Sequence, residues 1–199
     1  MKRTMRNGLL ALPFIALCHP ALAQEESAAD IGTHLVLTGG IGTGGDELAE
    51  VEYDHGDDGE VRAGGLVLLG VGIDHQFGNN WEVQATVNYL FDGADADNGD
   101  VFFSRWPLDL LAFYRNGNHR FGGGLTYHLN PEFEVDLDYV PERTIDFDDA
   151  LGFVLEYDYF IMPQLSVGVR GTLIDYEASD FDDEVSGNSI GVVVNGYFF

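Results

Sequence analysis

Arg105, Arg115, Arg120 and Arg170 each stand in a stretch of alternating polar and apolar residues, and Asp74, Glu82, Asp109, Glu156 and Asp158 stand in stretches of the same kind. Guanidinium and carboxylate are the chemistry of paired charge, because an ion taken out of water must find a partner or neutralise. A second group is acidic alone. "DGADADNGD" (92–100) brings Asp92, Asp95, Asp97 and Asp100 together, the oxygen donors that suit calcium or magnesium. It lacks the ligand pattern and closing Glu of an EF-hand, so a solvated acidic surface is the simpler account, and no metal or other cofactor is expected. "GGIGTGG" (39–45) contains a G-x-G-x-x-G match. Dinucleotide binding needs a helix to follow, and an acidic segment follows instead; glycines that ease strand curvature explain it better. Thr126 and His128 share one strand face, where a hydrogen-bonded histidine is a simpler role than a catalytic base. His55 lies in an acidic segment with no serine near it in sequence.

The ends set the context for these residues. Lys2, Arg3 and Arg6 precede the apolar run "LLALPFIALC" (9–18), and "ALA" at 21–23 supplies the small residues of a cleavage site, so residues 1–23 read as a signal peptide. The run is too short for a transmembrane helix. Cys18 is the sole cysteine, and Leu17 stands where a lipoprotein signal carries a small residue. Cleavage after Ala23 would therefore leave no thiol chemistry and no disulfide, with 24–30 as a short tail. The chain has 34 acidic and 9 basic residues, a formal net charge of −25. After residue 23 no lysine remains, and the arginines are 62, 105, 115, 120, 143 and 170. Nucleic-acid binding is excluded, because phosphate contacts need clustered Lys and Arg.

Alternation predicts eight strands, at about 31–42, 62–77, 81–92, 101–115, 119–129, 150–160, 164–175 and 188–199. Connections alternate in length. "FGNN" (77–80), "NGNH" (116–119) and "MPQ" (162–164) are tight turns, and Asn-Gly at 116–117 is a strong type I′ hairpin signal. The segments 43–61, 93–100, 130–149 and 176–187 are longer and, with Asp92 and Asp175 at their edges, carry most of the acids. The fold class expected is all-β, an eight-stranded antiparallel up-and-down transmembrane β-barrel over 31–199, with short periplasmic turns and long extracellular loops.

The faces agree. In "WEVQATVNYLFD" (81–92), Trp81, Val83, Ala85, Val87, Tyr89 and Phe91 form one face and Glu82, Gln84, Thr86 and Asn88 the other. A second face rich in glycine and in both signs of charge suits a narrow lumen. The nine charged residues named first fall there, as a lumen ion-pair network. Trp81, Phe91, Trp106, Phe121, Tyr157 and Tyr159 lie near strand ends, where interfacial girdles sit. Pro107 has no donor for the ladder, so a bulge is expected there, which leaves the facing of Asp109 open.

The terminal "GVVVNGYFF", with Tyr197 two residues before Phe199, resembles the carboxy-terminal assembly signal of Gram-negative outer-membrane barrels. With the signal peptide and the eight-strand meander, residues 31–199 resemble the small barrels typified by the OmpA transmembrane domain and OmpX. Asn195 departs from that pattern, falling where the Phe199 phase places a lipid-facing apolar residue. The resemblance implies the outer membrane as location, outer-membrane lipid, lipopolysaccharide and the barrel-assembly machinery as partners, and a monomer. Some barrels of this kind modify lipid A or phospholipids with an exposed Ser and a His base, but no histidine here lies in the His-x-Ser arrangement of the lipid A deacylases, so no enzyme is expected. A structural or surface-interaction role is the leading expectation. A narrow channel for small solutes or ions comes second, a lipid-modifying enzyme third.

Overall fold

The computed structural model describes residues 32–51, 59–65, 67–78, 80–96, 99–137, 140–177 and 184–198. The expected signal peptide and tail, His55, Asp97 and Phe199 lie outside them. The period-two pattern is realised as eight antiparallel strands: β1 (Thr33–Gly44), β2 (Val67–Phe77), β3 (Trp81–Ala96), β4 (Gly99–Asn116), β5 (His119–Leu137), β6 (Ala150–Met162), β7 (Leu165–Leu173) and β8 (Ser189–Phe198). Each pairs with the next. β8 returns to β1, with Leu35 opposite Phe198 and Gly44 opposite Ser189, so the sheet closes on itself. Closure satisfies every strand in the ladder and leaves no edge to face lipid.

The two ends of the barrel differ. One end carries tight turns. Asn116 pairs with His119, so the two-residue loop is Gly117–Asn118 rather than Asn116–Gly117. Gly117 has φ +62°, and Asn130 is the sole non-glycine with positive φ among the described residues. That is the type II′ pattern, with glycine first, and not the expected I′. At the other end the long connections are themselves β-structure. β3, β4 and β5 run beyond the barrel, and Val140–Asp146 pairs with the β5 extension. Glu47–Val51 pairs with Gly59–Arg62, and Asp175–Glu177 with Glu184–Ser186.

Inside-out polarity holds along the barrel wall. On β6, Leu151, Phe153 and Leu155 face outward, Leu155 at 67% exposure, while Glu156 and Asp158 are buried. On β3, Trp81 is 58% exposed and Glu82, Gln84, Thr86 and Asn88 are all buried. An apolar face directed outward over a polar interior is stable only in hydrocarbon. At the tight-turn end, Phe77, Trp81, Tyr114, Phe121 and Tyr157 are successive cross-strand partners. They form a belt in which Trp81 meets Tyr114 at 5.3 Å and Phe121 meets Tyr157 at 4.8 Å. Tyr159 faces outward on the same side, near His119. Phe91 and Trp106 mark the opposite border, with Tyr89 4.9 Å from Trp106.

Beyond that border the polarity inverts. Val61, Phe103, Phe133, Phe147, Ile174 and Tyr176 point inward and pack together, while Glu134, Asp146 and Asp148 are exposed. This is the arrangement of a water-soluble β-structure. On β5 the switch is made by a bulge, whereas on β4 one inward phase runs unbroken from Asp109 and Arg105 to Phe103. Ser104 pairs with Glu132 but Trp106 with Leu129, so Asn130 and Pro131 together oppose Arg105, with Asn130 at φ +46°. One extra residue reverses the facing of everything after it. Thr126 and His128 face inward before the bulge; Pro131 and Phe133 do so after it. The irregularity expected at Pro107 therefore lies on the neighbouring strand. Pro107 itself pairs with His128.

Candidate functional site in the barrel lumen

Strand alternation places Arg120, Glu156 and Asp158 inward on adjacent strands, β5 and β6, with Asp158 opposite Arg120 in register. Arg120 is fully buried. Its Nε donates to Asp158 Oδ2 at 2.8 Å, and its Nη1 donates to Glu82 Oε2 and Gln84 Oε1, each at 3.3 Å. Asp74 and Glu156 lie 3.7 and 3.6 Å from its terminal nitrogens. The guanidinium plane rests 3.9 Å from the Phe113 ring centre, which supports the cation without competing for its donors.

Arg170 forms the next layer. Its Nε donates to Glu156 Oε2 at 2.6 Å and its Nη1 to Asp109 Oδ2 at 2.9 Å. Asp109 is buried in the lumen and also accepts from Asn88 Nδ2 at 2.9 Å, which settles its facing. Arg115 sits at the tight-turn end, part-exposed, 3.6 Å from Glu82 and 3.7 Å above the Phe160 ring. Charge-assisted, desolvated pairs of this kind are costly to break singly, because the remaining ion stays buried without its partner.

One sequence expectation is corrected here, and one open register is settled. Arg105 is buried but forms no ion pair among the described residues. Its Nη2 donates to Ala63 O at 2.5 Å, and its guanidinium lies 4.4 Å from the Phe103 ring and 5.6 Å from Tyr176. The cause is height: Arg105 lies at the bulge, under the apolar cap, and buried Asp92 instead accepts the Arg62 N–H at 3.0 Å. The open register is that of the last strand. Asn195 is fully buried in the lumen, Val193 and Tyr197 are buried on the same face, and Ile190, Val192 and Phe198 face outward. Asn195 accepts from Thr38 Oγ1 at 2.7 Å and donates to Glu156 at 3.1 Å and Asp158 at 3.2 Å. An amide with three partners inside has no reason to face lipid. Tyr197 likewise packs on Phe160, 5.4 Å away, rather than on the membrane.

The acidic segment is divided. Asp92 is buried, Asp100 is exposed, and the Asp95 backbone lies opposite Asp100 across the β3–β4 hairpin. Among the described residues no group of three or more His, Cys, Asp or Glu side chains is placed to hold a metal. His128 Nδ1 lies 2.7 Å from the Tyr176 hydroxyl. Burial raises the Tyr176 phenol above its ordinary value, so it meets the imidazole uncharged. The aromatic cap is what the sequence reading missed. Its signal was present in "VFF" (101–103) and "PEFEV" (131–135), whose apolar residues continue a period of two past the membrane border.

No protein-family model matches the chain, and no curated protein matches it in sequence. Solved structures do match. Ail, the attachment invasion locus protein of Yersinia pestis, aligns with a TM-score of 0.54 at 12% identity, over 83% of this chain and 97% of that one. Neisserial surface protein A aligns with a TM-score of 0.50 at 11% identity, over 83% and 97%. At such identities the likeness speaks for the fold. Joined to the apolar outer wall, the aromatic borders and the charged interior, it makes this chain a small eight-stranded β-barrel of the outer membrane.

Proposed function

We propose that the protein is a plugged outer-membrane barrel with a structural or surface-interaction role, carried out by the β-hairpins above the membrane. The observation that carries this reading is Arg120, fully buried in the lumen towards the tight-turn end and shared among Asp158, Glu82 and Gln84. A side chain so held stands in the path of any solute. Arg170 with Glu156 and Asp109 supports a second layer, and the Phe103–Tyr176 cap a third.

The hairpin end favours a partner of one sign. Asp46, Glu47, Asp146, Asp148, Asp175 and Glu177 are exposed there. A surface of that charge repels polyanions and attracts basic partners or divalent ions bridging to lipopolysaccharide phosphates. Ail has been solved with the heparin analogue sucrose octasulfate; the acidic rim here supports the opposite preference. Planar-bilayer recording of the purified protein tests the plug. The reading expects no resolved conductance from the intact chain, and steady channels would replace it with a narrow pore for small ions.

A further inference from the structure

Between the Arg170 layer and the aromatic cap the barrel holds a partly open pocket, which reaches Ile41, Ile190 and Val192 of the outer wall. A cavity of about 50 Å³ lies there, with Leu68, Leu90, Val154 and Val193 among its apolar walls. It is hollow because Gly40, Gly42 and Gly191 supply wall without side chains. Gly42 pairs with Gly191 across the β1–β8 seam, and a Cβ on Gly191 would come within 2.6 Å of Ile41 O. The glycines read from the sequence as easing curvature thus also make room.

Two polar atoms of the lining side chains are unmet. Thr126 Oγ1, on a residue 1% exposed, and Arg170 Nη2, on a residue 7% exposed, have no hydrogen-bond partner among the described residues. Both residues line the cavity. Unmet N–H and O–H groups in an apolar chamber call for an oxygen acceptor. Charge then selects its type. Arg170 already faces two carboxylates, Glu156 at 2.6 Å and Asp109 at 2.9 Å, so an added anion would meet net negative charge at short range. A neutral acceptor meets no such opposition.

Size sets the remaining limit. One water needs on the order of 10–15 Å³ of such space, and benzene was accommodated in an engineered cavity of about 150 Å³. We infer that this cavity binds a small neutral molecule, an alcohol or ketone of about four heavy atoms, with its oxygen on Thr126 and Arg170 and its apolar body against Val154 and Val193. The site does not depend on whether the barrel conducts, since occupancy needs entry and not passage.

Methyl NMR of the full barrel in lipid nanodiscs tests the assignment, with 2-propanol as probe and acetate as its charged comparator. Saturable shifts of the Val154 and Val193 methyls are expected with 2-propanol and not with acetate. Thr126→Val should weaken the response about tenfold, the loss of one buried hydrogen bond. Val193→Phe should abolish it, read at Val154. Gel mobility before and after heating confirms that each variant is folded; if Val193→Phe fails this check, Thr126→Val decides alone. Shifts that rise linearly without saturation would show a cavity occupied by water only, and saturable shifts unchanged in folded Thr126→Val would overturn the assignment of the oxygen to Thr126. Tighter binding of acetate would overturn the neutral class.

Discussion

Arg120 has four carboxylate groups within 3.7 Å, so removing its guanidinium leaves several buried anions facing one another. Arg120→Ala and Arg170→Ala are each expected to destabilise the barrel by about 3–5 kcal/mol. Urea unfolding followed by gel mobility reads this directly, and unchanged midpoints in both variants would refute a load-carrying plug. Asn195→Leu is a milder test. It strands Thr38 Oγ1 and removes donors to Glu156 and Asp158, for a loss of about 1–3 kcal/mol. A gain in stability would mean that the side chain belongs on the lipid side after all. Most lumen charges were legible from alternation alone, because a strand that buries Glu156 must also bury Asp158 two residues on. Arg105 was not. Its facing could be read, but its partner depended on height above the membrane, which periodicity does not encode.

The bulge at Asn130–Pro131 joins two regimes on one strand, polar-inward before it and apolar-inward after it. Deleting Asn130 would remove the bulge and restore simple alternation, with Pro131 and Phe133 still inward and Glu132 still outward. The expected result is a barrel that still inserts with its cap closed, so that protease cuts between residues 130 and 150 no faster than in the unaltered chain; rapid cleavage there would show that the cap needs the bulge itself. Asn130→Gly should also be tolerated, since glycine takes the positive φ without strain. Phe103→Ala removes a fully buried ring that contacts Phe133, Phe147 and Tyr176. It should cost about 3–5 kcal/mol of cap stability and leave the heat-dependent gel shift intact. The eight strands and their tight turns were legible because each carries its own period. The cap was not, because its residues meet from four separate connections, and no single stretch shows what it packs against.

The whole molecule is two β-structures of opposite polarity stacked on one set of strands. In the lower one hydrocarbon is the solvent and Leu69, Val71 and Ile73 face it; in the upper one water is the solvent and the aromatics turn inward. Strand count, meander order and the side of the long connections all followed from the sequence. The phase of β8 did not, because Asn195 conflicts with a lipid-facing Phe199 and leaves the register open, which the structure resolves with Asn195 and Tyr197 inside. The central claim is that inside-out polarity, and nitroxide labels at Leu69, Val83 and Gln84 in lipid vesicles test it most directly. Labels at positions 69 and 83 should collide with dissolved oxygen and escape a water-soluble nickel complex, while the label at 84 should be shielded from oxygen in the bilayer. If the label at 84 were the lipid-exposed one and those at 69 and 83 were packed centrally, the barrel described here would be wrong.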